Sequence, residues 1–330
     1  MRLIDPDQAR ALMGDPAAMP GSLSGAPYLL LDLRQAGAAA HSEIADWLTT
    51  LPCPVIGIGD PLGQAASELA SACDVTLESE PEAATLIGNI QRWPLASTVL
   101  VQVLRSIQTL PLAAALAVES LAYGCLQQGA EFRGWLAARS PVAMPAAEPG
   151  PAVEIDRDGG EVRLILNRPL HHNAMSVEMR DALVEALRWI RMDDSVIRVR
   201  LSGRGRCFST GGELAEFGTA PDPATAHRVR SIALPGRELA LCRDRVSVEV
   251  HGACIGSGIE FPAFAADLQA RSDAFFQLPE LRYGLIPGAG GCVSISRRIG
   301  RQRTAWMALS GRRVSARQAK DWGLIDRLIG

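Results

Sequence analysis

The sequence predicts an α/β protein with a helix-rich amino-terminal region, on three observations. From residue 153 onward, strand-like segments alternate with segments that carry apolar residues at helical spacing. Glycine-rich turns follow two of those strands, in CFSTGGELAEF (207–217) and GACIGSGIE (252–260), and each leads into a helical stretch. Residues 95–138, ahead of them, read as two or three amphipathic helices. The two regions divide at ARSPVAMPAAEPGPAVE (138–154), whose prolines at 141, 145, 149 and 151 disfavour helix and sheet alike. The expected organisation is an amino-terminal α/β region over 1–142, a linker over 143–152 and a second domain over 153–330.

Taken in order, LLLDLR (29–34) and PVIGIG (54–59) read as buried strands. After the linker, EVRLILNRP reads as a strand, SVEMRDALVEALRWIRM as a helix and VIRVRLSG as a strand, which together make a β-α-β unit. A second helical stretch, ATAHRVRSIALPGRELALC, precedes the strand VSVEVHG, and the turn GACIGSGIE feeds a helix expected to close at Asp267. Pro262 lies inside that helix and fits only in its first turn. LPCPVIGIGDPLGQAASELASACDV and CRDRVSVEVHGACIGSGIEFPAFAADL share one order: cysteine, valine-rich strand, small-residue turn, glutamate, Ala-rich helix, aspartate. That order reads as a decayed internal repeat or as chance similarity between two buried strand-turn-helix units.

Composition excludes several classes. With 48% hydrophobic and 21% charged residues the chain is neither disordered nor fibrous. A net charge of -3 gives no cationic field, so neither nucleic acid nor an anionic membrane surface is expected as a partner. The 7 cysteines are scattered without a CxxC pair, which suggests neither a disulfide framework nor a metal site and points to a reduced, cytoplasmic setting. The first residues carry charges where a signal peptide needs an apolar core, and the most apolar stretch, from Val101, is broken by Arg105 and Pro111.

A glycine-rich turn opening a helix offers free backbone N–H groups and the positive end of the helix dipole to an anion. Gly252, Gly256 and Gly258 do not follow the dinucleotide pattern GxGxxG. Two such turns, and two acids set among apolar residues, Glu260 and Glu280, require one explanation. Five stretches in register supply it: NRPLHHNAM (167–175), FSTGGEL, GACIGSGIE, PELRYGLIPGAGG and SARQAKDWGLID. In these stretches, residues 153–329 resemble the enoyl-CoA hydratase/isomerase (crotonase) superfamily.

The resemblance implies a crotonase-like ββα-spiral that binds an acyl-CoA thioester, with no cofactor beyond the coenzyme A of the substrate. It assigns the oxyanion-hole N–H groups to Gly212 and Ser257 and the acid-base pair to Glu260 and Glu280. Substrate contacts fall on Arg168, Asn173, Ala174, Phe208, Thr210, Gly211, Gly256, Gly258, Pro287 and Gly288. The implied reaction is addition of water to an enoyl-CoA, with isomerisation, hydrolysis or non-catalytic acyl-CoA binding as alternatives. Taken singly, Glu260 or Glu280 could cap a backbone N–H or face solvent, and the glycines could be turn residues only. His171, His172 and His251 fit turn or surface roles, and Arg168, Arg204 and Arg206 either a phosphate or a solvated face.

Ser257 stands where the family usually has glycine. Family members continue past GLIDRLIG with roughly three helices, and residues 94–139 resemble those helices, with an AL-x-x-E pattern and a late EF-x-x-WL. The amino-terminal region is therefore expected to be a degenerate half of the same fold, its helices covering the catalytic half within the chain or across a subunit boundary. The family also implies a homo-oligomer, a trimer or a dimer of trimers.

Overall fold

The computed structural model describes residues 3–15, 20–21, 26–36, 41–60, 63–140 and 146–330. The amino-terminal region runs α1 (Pro6–Met13), β1 (Leu29–Asp32), α2 (Ser42–Thr50), β2 (Val55–Ile58), α3 (Gly63–Ala72), β3 (Val75–Leu77), α4 (Glu80–Arg92), α5 (Pro94–Ser106), α6 (Leu112–Gln127) and α7 (Ala130–Ala138). Its three strands form a parallel sheet in the order β1-β2-β3. Every residue of LLLD and VIGI is buried, as a parallel sheet covered on both faces requires. Leu29, Leu31 and Val55 face a small core that they share with Ile44, Leu48 and Leu69 of α2 and α3. Leu30, Ile56, Ile58 and Val75 point the other way, into the main core of the molecule.

The second half continues with β4 (Val153–Asp158), β5 (Glu161–Leu166), α8 (Val177–Met192), β6 (Arg198–Gly203), α9 (Pro223–Ile232), α10 (Pro235–Leu241), β7 (Val246–Val250), β8 (Ala253–Ile255), α11 (Ser257–Glu260), β9 (Asp267–Arg271), β10 (Phe275–Gln277), α12 (Gly291–Ser310), β11 (Val314–Ser315), α13 (Ala316–Trp322) and β12 (Arg327–Ile329). Six strands make one sheet, β12-β9-β7-β6-β5-β4, and β11-β10-β8 make a second. Strand β4, absent from the sequence reading, pairs antiparallel with β5 and adds an outer edge.

Two helical expectations change. The stretch 224–242 is two helices, because Pro235 cannot continue the first and starts the second. The helix after the second turn is only the single turn α11, followed by a 3-10 turn at Pro262–Phe264 and then by β9, which begins at Asp267. In the amino-terminal counterpart the helix α3 is full length, and both units pair their strands in parallel, Ile56 with Val75 and Ser247 with Asp267. Residues 61–62, in the expected small-residue turn, and 141–145, which take in the first three residues of the expected linker, lie outside the described residues.

Helices α4 to α7 belong to the core of the second half. Leu86, Leu100, Val101, Leu104, Leu116 and Phe132 share one buried cluster with Ile295, Ile299, Met307 and Leu309 of α12. A polar clasp fastens the same seam. Asp74, fully buried, accepts the Val55 N–H at 2.8 Å, Arg105 Nε at 2.9 Å and Arg301 Nη1 at 2.9 Å, which joins β2, α5 and α12. Asp74→Ala leaves two guanidinium groups buried without their acid, and the expected cost is about 3–5 kcal/mol of stability, checked by denaturant unfolding.

Candidate active site

Parallel pairing brings the motifs together. Cys254 of β8 bridges Ser209 on one side and pairs with Phe276 of β10 on the other, all in parallel. Three chain segments thus leave the small sheet toward the same edge, delivering Gly212, then Ser257 and Glu260, then Glu280. Hydrogen bonds lock the alignment: Ile255 N–H donates to Ser209 O at 3.1 Å, and Gly256 N–H to Gln277 O at 2.9 Å. A further bridge, Met175 to Gly212, ties the NRPLHHNAM turn to the first glycine turn.

Gly256 shows how closely the second turn approaches the acids. Its φ is +50°, and a methyl group there would stand 2.6 Å from Glu280 Oε1 and 3.8 Å from Glu260 Oε1. The two carboxylate oxygens therefore lie no farther apart than the sum of those lengths, and only glycine leaves the space open.

Glu260, Glu280, Gly212 and Ser257 line one cavity of about 420 Å³ together with Gly288 and Ala289. Among the described residues neither the Gly212 N–H nor the Ser257 N–H donates to a protein acceptor. Two shielded oxygens in this cavity, Glu280 Oε2 and Ser257 Oγ, likewise have no protein partner. Buried polar atoms left unpaired are costly and are characteristically kept for a ligand. A larger concavity, about 630 Å³, lies on the outer face of the six-stranded sheet, but its arginine-rich lining contains none of these residues.

The acids are held differently. Glu260 Oε2 accepts the N–H groups of Ala289 at 2.7 Å and Gly291 at 3.0 Å, at the start of α12. Burial raises its pKa, and those N–H bonds oppose the rise by favouring the carboxylate. Burial raises Glu280 well above the ordinary carboxyl range, and the Glu260 charge raises it further. Of the pair, Glu260 is the one whose charged form the surrounding N–H groups favour.

A third acid comes from the amino-terminal region. Glu119, in the AL-x-x-E stretch of α6, is buried and accepts Gly290 N–H at 2.7 Å and Val293 N–H at 3.3 Å. Burial first, and the Glu260 charge second, push its pKa up to about 8. The first turn of α12 thus carries two carboxyls, one from each half of the chain. Tyr123, one turn further along α6, also lines the cavity and packs on Gly288, where an added methyl group would stand 2.2 Å from its ring. Helix α7 closes in beside them, with Trp135 4.8 Å from Tyr283 and 6.1 Å from Phe217 between ring centroids. Gly284, at φ +69°, admits it: a methyl group there would come within 2.7 Å of Phe132 N. Sequence reasoning named none of Glu119, Tyr123 or Trp135 as site residues, although the AL-x-x-E and EF-x-x-WL patterns contain two of them.

The other expected contacts divide. Gly288 lines the cavity, Ala174 precedes cavity-lining Met175, Gly211 precedes Gly212, and Gly256 and Gly258 flank Ser257. Thr210 is exposed, and Pro287 is buried with its carbonyl accepting the Cys292 thiol at 3.7 Å. Arg168, Asn173 and Phe208 are framework instead. Buried Arg168 spends its guanidinium on Glu178 and on the carbonyls of Gly150, Pro151 and Asn167, which fastens the end of the linker. Asn173 Nδ2 donates to the carbonyls of Arg204, Cys207 and Phe208, and Phe208 packs in the core against Phe261, its ring tilted and 5.9 Å away between centroids.

Comparison with known proteins identifies the family. Residues 158–330 match the family described as enoyl-CoA hydratase/isomerase. The chain is similar to a 1,2-epoxyphenylacetyl-CoA isomerase of Escherichia coli, 33% identical over 174 residues that cover 52% of this chain and 66% of that protein. It is also similar to a 2,3-dehydroadipyl-CoA hydratase of the same organism, 31% identical over 172 residues, covering 52% of this chain and 67% of that one. The chain thus spans about two thirds of the length of these curated relatives. Among solved structures, an enoyl-CoA hydratase from Mycobacterium smegmatis superposes with a TM-score of 0.50 at 32% identity, over 55% of this chain and 71% of that one. The expected crotonase-like α/β fold is therefore borne out, and the chain belongs to the enoyl-CoA hydratase/isomerase family.

Proposed function

We propose that the protein is an enoyl-CoA hydratase-type lyase. The observation that carries this reading is the pairing of two buried carboxyls, one fixed by backbone N–H groups and one with a buried oxygen left unpaired, across a cavity that also receives two free amides. Glu260, as carboxylate, draws a proton from water while the water oxygen bonds to the β-carbon of the conjugated thioester. The π electrons move onto the thioester oxygen, where the Gly212 and Ser257 N–H groups hold the enolate; one such donor is worth about 2.7–4 kcal/mol elsewhere. The Glu280 carboxyl then gives its proton to the α-carbon. A proton passing from Glu260 to Glu280 restores the starting state. The reverse sequence is dehydration.

Isomerisation, the activity in the name of one relative, needs a single carboxyl to move a proton. The presence of both acids favours hydration. A homo-oligomer, a trimer or a dimer of trimers as the family implies, is part of this proposal. No helix among the described residues is long and apolar enough to cross a membrane.

Incubation with a short enoyl-CoA should bleach the conjugated thioester absorbance and yield a 3-hydroxyacyl-CoA. A shifted double bond instead would assign the isomerase. The rate should follow a bell-shaped pH profile. Lowering the pH protonates the Glu260 base, whose pKa burial raises, and raising it takes the proton from Glu280, whose pKa burial and the Glu260 charge raise. The two apparent values belong to the pair.

A further inference from the structure

The cavity continues past the carboxyls along a wall made by α6 and α9, and Arg230 stands in that wall. Its position beyond the reacting centre follows from a short chain of contacts. Ala289, whose N–H holds Glu260, adjoins Gly288; Gly288 packs on Tyr123; and the Arg230 guanidinium lies 4.7 Å from the Tyr123 ring centre. A second chamber of about 200 Å³ extends from there and shares Gln127, Gly218 and Ala220 with the first.

Arg230 is half-buried, and its guanidinium bonds no carboxylate among the described residues. Its protein partners are neutral: Nε donates to Ser120 Oγ at 3.0 Å, Nη2 to Ser120 O at 3.2 Å, and Nη1 to Gln127 Oε1 only at 3.5 Å. At least two of its five N–H groups are left without an acceptor. Glu119, the acid on the facing helix, is turned away to the start of α12, where its two oxygens accept the Gly290 and Val293 N–H groups. A half-buried cation, partly supplied with neutral acceptors, is matched by an anion arriving with the substrate. A plain alkyl tail would instead cover Arg230 and Gln127 and leave their remaining polar groups unpaired, the circumstance that gives binding sites their strongest discrimination.

We infer that the far end of the cavity takes an acyl chain ending in a carboxylate, with Arg230 as its counter-ion. The inference rests on the acyl-CoA reading proposed above and narrows it to ω-carboxyacyl thioesters. The phosphates of coenzyme A are the other source of an anion, and the test separates the two.

Saturated acyl-CoAs, which have no double bond to hydrate, report binding alone. In calorimetric titrations the protein should bind glutaryl- and adipyl-CoA more tightly than pentanoyl- and hexanoyl-CoA, by roughly tenfold to a hundredfold. Arg230→Met should collapse that ratio towards one, and Arg230→Lys, which keeps the charge but not the fork, should restore part of it. Equal binding of the carboxylated and plain chains by the unaltered protein would overturn the inference, and this arm needs no variant. So would a loss of acetyl-CoA affinity in Arg230→Met equal to its loss of glutaryl-CoA affinity, since the charge would then be meeting the coenzyme. Failure to bind any acyl-CoA would remove the underlying reading as well, whereas binding without preference removes only the assignment of Arg230.

Discussion

Replacing Glu280 by Gln is expected to lower the hydration rate by about 10²–10⁴-fold while saturated acyl-CoA still binds. The amide fills the same space beside Gly256 but has no proton to give the α-carbon at the moment the enolate needs it. Glu260→Gln should cost a similar factor for the opposite reason. Its amide oxygen can still accept the Ala289 and Gly291 N–H groups, so the start of α12 stays satisfied, but the side chain can no longer take a proton from water. Because the two apparent values belong to the pair, either replacement should alter both limbs of the pH profile. Because the two act on one water and one enolate, the double variant should be little slower than the worse single one. Steady-state rates with an enoyl-CoA, together with titrations of its saturated counterpart, check all of this.

Residues 146–330 produced alone should be inactive and poorly soluble. Without α4 to α7 the apolar side of α12, with Ile295, Ile299 and Met307, loses its cover, and an exposed patch of that kind promotes association. The acid pair suffers too. Gly290 and Val293 lose the carboxyl of Glu119, Gly288 loses Tyr123, and the PELRYGL loop loses Trp135. Water then reaches carboxyls whose shifted ionisation depends on burial. Full activity and a monodisperse, cooperatively unfolding product from 146–330 would contradict the covering role given to the amino-terminal helices.

Much of the site was legible because its motifs are local. Gly212, Ser257, Glu260 and Glu280 sit in turns a few residues long, where small side chains and a buried acid leave a signature in sequence, and parallel strand pairing then brings them together. Helix lengths were harder to read. Apolar periodicity ran straight through Pro235 and Pro262, and the backbone restriction of proline decided both places. Arg168 was misplaced toward the ligand because an arginine beside a phosphate-facing motif looks alike whether it is solvated or buried; Glu178 and the carbonyls at 150 and 151 fix its role, and only the fold brings them near. Glu119 and Tyr123 could not be assigned at all, since their partners lie more than 160 residues away in the chain.

The most direct measurement is a crystal structure with a 3-ketoacyl-CoA such as acetoacetyl-CoA in the cavity. The thioester oxygen should lie within about 3.2 Å of both the Gly212 and Ser257 nitrogens, with the β-carbon facing Glu260 and Glu280. A thioester oxygen bound by neither amide, or an acyl group lying outside the space between the two acids, would contradict the proposed chemistry.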